Sequence, residues 1–114
     1  MTAELPATFL ARLRDIIPAH DLDNVLKSLS IQTKIGVRVN TLRADVNTVF
    51  SRLLDQGIQI EPLEWYGAGM TVPLGQRDLL LASEEYVRNE IYLQNTSSML
   101  AAWLLAPQPS DEVL

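Results

Sequence analysis

The chain is 114 residues long, 47% of them apolar, with a net charge of −5 and no cysteine. That length and apolar content suit one compact core and exclude wholesale disorder, while the missing thiols exclude a disulfide framework, a thiolate metal site and a cysteine nucleophile. No run approaches the roughly 18 apolar residues that a bilayer span needs, and the start lacks the basic-then-apolar pattern of a signal peptide, so a cytoplasmic protein with no membrane partner is expected.

The first elements follow from hydrophobic periodicity. Phe9, Leu10, Leu13, Ile16 and Ile17 fall at helical spacing and predict an amphipathic helix over about 6–17, opened by Pro6 and ended by Pro18. A second helix is expected with Asp21 as N-cap and Leu22, Val25, Leu26 and Leu29 on one face. The period then changes. Ile35, Val37, Val39 and Thr41 alternate with Gly36, Arg38, Asn40 and Leu42, the pattern of a half-buried strand. Asp45 is placed to cap a helix carrying Val46, Val49, Phe50, Leu53 and Leu54, and Gly57 to stop it. A second strand is expected at once, with Ile58 and Ile60 on one side, and a right-handed crossover makes the two strands parallel in one sheet.

Beyond this unit, Pro62, Gly67, Gly69, Pro73 and Gly75 punctuate the chain, so 61–83 reads as turn-rich with one or two short strands. Residues 90–93 suit a further short strand. Asn95, Thr96 or Ser97 then caps a helix bearing Met99, Leu100, Trp103 and Leu104 and closed by Pro107. The segment Asp-Glu-Val-Leu at 111–114 reads as the opening of another strand. The expected fold class is α+β: a helical pair over 1–30, a small strand–helix–strand subdomain over 31–83, and a lead-in segment with a C-terminal helix over 84–114.

The acidic total argues against strong nucleic-acid binding by this chain alone, but the charge is uneven. Residues 1–57 balance to +1 and residues 58–114 to −6. Within 27–52, Lys27, Lys34, Arg38, Arg43 and Arg52 face one acid, Asp45, so an anionic partner is expected there. His20 lacks converging partners for metal or base chemistry, and Gly67-Ala68-Gly69 lacks the third glycine and helix of a phosphate cradle. Trp65-Tyr66 suits either a stacking platform for an unpaired base or, as is commoner at a turn, the covered edge of a core. The adjacent acid pairs Glu84-Glu85 and Asp111-Glu112 diverge on a regular element and read as solvated charge.

Two segments carry more. In Arg38-Val39-Asn40-Thr41-Leu42-Arg43, a strand sets Arg38 and Asn40 on one face, a forked cation beside an amide, suited to phosphate or ribose. In Gln94-Asn95-Thr96-Ser97-Ser98-Met99, amide and hydroxyl side chains open a helix, either as simple caps or as partners for a polar ligand.

In this order and at this distance, those segments resemble the Nol1/Nop2/Sun family of RNA cytosine-C5 methyltransferases, in its Sun/Fmu-like branch. The likeness rests on Arg38-Val39-Asn40-Thr41-Leu42, Glu85-Tyr86, Ile91-Tyr92-Leu93-Gln94, Ser97-Ser98-Met99, Leu105-Ala106-Pro107-Gln108 and Glu112-Val113-Leu114. Asn95, Thr96 and Asn89 depart from it, standing where an acid or glycine, a proline or alanine, and a glycine are usual. The resemblance implies an RNA-recognition-like α/β unit that presents ribosomal or transfer RNA to a catalytic domain following residue 114. Lys34, Arg38, Asn40 and Arg43 are then the expected RNA contacts. Gln94, Ser97 and Ser98 fall near the cofactor or the target base. The family's chemistry uses S-adenosylmethionine and a thiolate that attacks cytosine C6. This chain holds neither the cofactor loop nor the cysteines, so no catalytic residue, no metal and no cofactor of its own is expected in it. A stand-alone protein-interaction module is the alternative, with the 97–105 helix covered by a partner or by a second copy.

Overall fold

A computed structural model describes residues 4–114; the first three residues of the expected helical segment lie outside that range. The chain divides into two compact units, Met1–Gln32 and Thr33–Leu114. In the first, helices α1 (Ala7–Ile16) and α2 (Ala19–Ser30) are in contact, Leu10, Leu13, Leu22, Val25 and Leu26 are partly buried, and neither helix buries a residue completely. Asp21 is not the N-cap of α2. Pro18 holds that position without a side-chain bond, because its fixed φ of −53° already turns the chain into the helix, and Asp21 falls in the first turn.

The second unit is a four-stranded antiparallel sheet. Its strands are β1 (Lys34–Val39), β2 (Glu61–Leu63), β3 (Tyr66–Pro73) and β4 (Ile91–Leu93), in the spatial order β2-β3-β1-β4. Helix α3 (Val46–Asp55) joins β1 to β2; α4 (Arg77–Leu81) and α5 (Glu84–Val87) join β3 to β4; α6 (Thr96–Leu105) follows β4. The fold class is α+β, as the periodicity predicts. The crossover from β1 through α3 delivers a strand running the same way as β1, since β2 opposes β3 and β3 opposes β1. The two are not neighbours, however, because β3 is inserted between them. This is the split β–α–β arrangement.

Local chemistry explains the parts that follow prediction. Ile35, Val37 and Val39 are buried on one face of β1. Asp45 caps α3 by accepting from the Thr48 backbone N–H at 3.0 Å, and Gly57 ends the helix at φ 82°. Val49 and Leu53 of α3 and Leu80 of α4 close over Val37, Met70, Val72 and Ile91 to form the core on that face. Ile58 and Ile60 are not strand residues. Ile58 is buried from the loop before β2, which begins three residues later than the alternation suggests. The largest departure is β3. Eight residues long, it is the longest strand, in a stretch where glycine and proline predict turns. Thr41 likewise lies beyond the end of β1, in the turn before α3.

Candidate nucleic-acid interface

The opposite face of the sheet is built around small residues. Arg38 on β1 stands in register with Gly69 on β3 and with Tyr92 on β4, and Gly36 with Thr71. Two of these glycines are there for close approach. A Cβ on Gly36 would fall 2.2 Å from the backbone oxygen of Gln94, and one on Gly69 would fall 2.6 Å from Leu63 Cδ1 and 3.1 Å from Met99 Sδ. The bare backbone lets the chain leaving β4 lie against β1, where the Gln94 N–H donates to the Gly36 carbonyl at 3.0 Å. It also lets Met99, the one fully buried residue of α6, seat on the sheet. Burial of that side chain stabilises the docked helix by about 2 kcal/mol.

Between the sheet and α6 lies a cleft of about 270 Å³, lined by Arg38, Tyr66, Gln94, Met99, Ala102 and Trp103. Arg38 supplies its charge. The guanidinium sits 5.3 Å from the centroid of the Tyr92 ring, and its Nε donates to Gln94 Oε1 at 3.0 Å. The cation–π contact and this bond fix the fork in one orientation. Among the described residues no carboxylate pairs with Arg38, and neither Nη donates a hydrogen bond within the chain. A half-buried cation is thus left with its donor fork unused, an arrangement that favours an anionic or acceptor-rich partner.

The other expected contacts are distributed differently. Asn40 is buried at 9% exposure, one residue past β1, and its amide is occupied. Nδ2 donates to the Asn89 carbonyl at 3.1 Å, and Oδ1 accepts from the Leu42 N–H at 3.2 Å. This side chain ties the turn after β1 to the turn before β4, where Asn89 takes the left-handed φ of 58° that asparagine tolerates. Lys34 is exposed and ion-paired with Glu61 across the sheet. Arg43 is exposed and reaches only the Arg88 carbonyl, at 3.5 Å. The structure therefore brings Arg38 and Gln94 together, and does not gather Lys34, Asn40 and Arg43 into the same cleft. Ser97 and Ser98 are exposed on the first turn of α6; Asn95 is its N-cap but makes no side-chain cap bond.

Three aromatic residues of this site come from two segments far apart in the chain. Trp65, at the tip of the β2–β3 hairpin, stacks on Tyr66 with centroids 5.9 Å apart and meets Trp103 of α6 edge-on at 5.6 Å. Trp103 walls the cleft on one side and, with Trp65, Thr96, Ser97 and Leu100, a shallower depression on the other. The Trp103 partnership has no local signal, since nothing in the spacing of 65 and 103 links them. His20 pairs with its neighbour Asp21 at 3.2 Å, and among the described residues no group of three potential metal ligands occurs. No helix among them is long and apolar enough to cross a membrane.

The split β–α–β connection and the antiparallel strand order β2-β3-β1-β4 define a ferredoxin-like α+β domain. A family model described as "Methyltr_RsmF/B-like, ferredoxin-like domain" matches residues 5–75, and the chain belongs to that family. It is 30% identical over 111 residues to the human 28S rRNA (cytosine(4447)-C(5))-methyltransferase, covering 92% of this chain and 13% of that protein. It is 31% identical over 115 residues to the ribosomal RNA small subunit methyltransferase F of Klebsiella pneumoniae, covering 97% and 24%. The chain thus spans a quarter or less of the length of these relatives. A crystal structure of a methyltransferase homolog protein from Pyrococcus horikoshii shares the fold, with a TM-score of 0.71 at 21% identity over 92% of this chain and 38% of that one.

Proposed function

We propose that this chain is the substrate-positioning portion of a ribosomal RNA cytosine-C5 methyltransferase: it holds RNA at the cleft between its sheet and α6 and performs no chemistry itself. The observation that carries this reading is Arg38, a half-buried guanidinium oriented by Gln94 and Tyr92 and lacking a carboxylate partner among the described residues. The names of its relatives as rRNA methyltransferases supply the class of RNA. The absence of cysteine removes the thiolate that covalent activation of cytosine needs. Residues 84–114 serve as the lead-in to the catalytic part.

S-adenosylmethionine is the cofactor such a methyltransferase requires. The first turn of α6 offers it the exposed hydroxyls of Ser97 and Ser98 but no acidic side chain for its ammonium or ribose. These residues do not by themselves make a cofactor site.

Titrating the chain with unstructured RNA at one low salt concentration tests the reading. Arg38→Ala is expected to weaken binding by roughly 1–3 kcal/mol without changing the fold. Unchanged affinity, with circular dichroism also unchanged, removes the sheet face from the RNA path. A protein-interaction role is the competing reading, favoured by the exposed Leu100, Leu104 and Leu105 of α6.

A further inference from the structure

Within that RNA-positioning role, on which this inference rests, we infer that the cleft between β1 and α6 accepts one unpaired base, and that it selects cytosine or guanine over uracil and adenine. The size argues for a single base. At about 270 Å³ the cleft falls at or below the roughly 300–1,000 Å³ of sites that enclose a larger small molecule. The walls argue for a base over a bare phosphate. Tyr66, Met99, Ala102 and Trp103 line most of the cleft, and although the Tyr66 hydroxyl and the Trp103 indole N–H can each donate a hydrogen bond, these walls are mainly apolar or aromatic surface, which the π-face of a base covers and a bare phosphate does not.

The selectivity comes from which atoms are already engaged. Because the Arg38 Nε–H must meet an acceptor, Gln94 is held with Oε1 toward the guanidinium at 3.0 Å. Its Nε2 amino group is thereby left as a donor beside the Nη groups of Arg38, which make no bond within the chain among the described residues. The polar wall made by these two side chains therefore presents donors only. An edge with two adjacent acceptors satisfies it, and two bases have one: cytosine through O2 and N3, guanine through O6 and N7. Uracil sets its N3–H between its two carbonyls and adenine sets an amino group beside its acceptor, so each confronts a donor with a donor. Arg38 and Gln94 thus act as specificity-determining residues. The base held here is one that is recognised, not modified, since the chain has no thiolate to attack it.

The experiment is fluorescence anisotropy of the wild-type chain with labelled short homopolymers of C, U and A at one low salt concentration, with an RNA duplex alongside. The expected result is oligo-C bound roughly tenfold more tightly than oligo-U or oligo-A, with the duplex weaker still. Gln94→Glu turns the free donor into an acceptor and neutralises Arg38, and should abolish the preference while leaving the circular dichroism unchanged. Trp103→Phe should retain the preference, and Trp103→Ala should weaken every single strand. Equal affinity for the three homopolymers, with Arg38→Ala weakening all of them alike, overturns base selection and leaves the RNA-positioning reading standing. No binding to any RNA overturns that reading, and this inference with it.

Discussion

Gly36 and Gly69 decide what the sheet face can be. A side chain on Gly36 would collide with the backbone carbonyl of Gln94, which cannot easily give, whereas one on Gly69 would meet the ends of the Leu63 and Met99 side chains, which can shift. Gly36→Ala is therefore expected to displace the start of α6 and cost about 1–3 kcal/mol or more, read as a lower midpoint in urea denaturation. A Cβ on Gly67 would meet nothing within 4 Å, so Gly67→Ala serves as the control and should leave the midpoint nearly unchanged. Asn40 belongs at this scale too. The sequence places an amide beside Arg38, but the fold uses that amide to join two turns, and Asn40→Ala should destabilise the domain by about 1–3 kcal/mol through unpaired buried groups. The Lys34–Glu61 pair is exposed on both sides, and Lys34→Ala should change stability by no more than about 1 kcal/mol.

Among the elements, β1 and α3 are legible because one physical rule governs each. Strict alternation sets the burial of Ile35, Val37 and Val39, and the Asp45 cap with the Gly57 stop brackets the helix. Asp45→Ala should cost about 1 kcal/mol, since Thr48 then loses the acceptor for its N–H. β3 is illegible for the opposite reason. Ala68, Met70 and Val72 do alternate, but Gly67, Gly69 and the terminal Pro73 carry the composition of a turn, and Gly69 here serves a face that Met99 of α6 approaches. Pro62 misleads in a related way: it sits on an edge strand, where a missing N–H costs no ladder bond. The candidate site divides similarly. Arg38 and Gln94 stand out by composition, whereas Tyr66, Met99 and Trp103 join them only through the docking of α6, which no periodicity encodes. Met99→Ala should release that helix at a cost of about 2–5 kcal/mol, seen as lost amide-exchange protection over 96–105.

At the scale of the whole molecule, the two compact units differ in kind. Among the described residues, every buried core residue belongs to Thr33–Leu114, and none lies in α1 or α2. A chain starting at Thr33 is therefore expected to keep a cooperative unfolding transition, whereas residues 1–32 alone are too short to hold a helical pair together. Circular dichroism of the two separated pieces checks this. The exposed Leu100, Trp103, Leu104 and Leu105 of α6 form an uncovered apolar stripe. Such a stripe favours self-association, and sedimentation over a concentration series should show a dimer that Leu104→Glu dissolves.

The edge-on contact of Trp65 with Trp103 also gives the molecule a built-in reporter. These are the two tryptophans of the chain, they lie 5.6 Å apart, and one of them walls the cleft beside Arg38. Excitation of indole alone therefore samples a single place on the surface, with no background from elsewhere in the fold. Rings at that separation and at 74° couple electronically, so the pair should give a paired positive and negative band in the circular dichroism of the indole transitions. Anything that slides between the rings or lifts α6 will erase that doublet before any helix melts, and an unlabelled ligand can be followed by watching it fade.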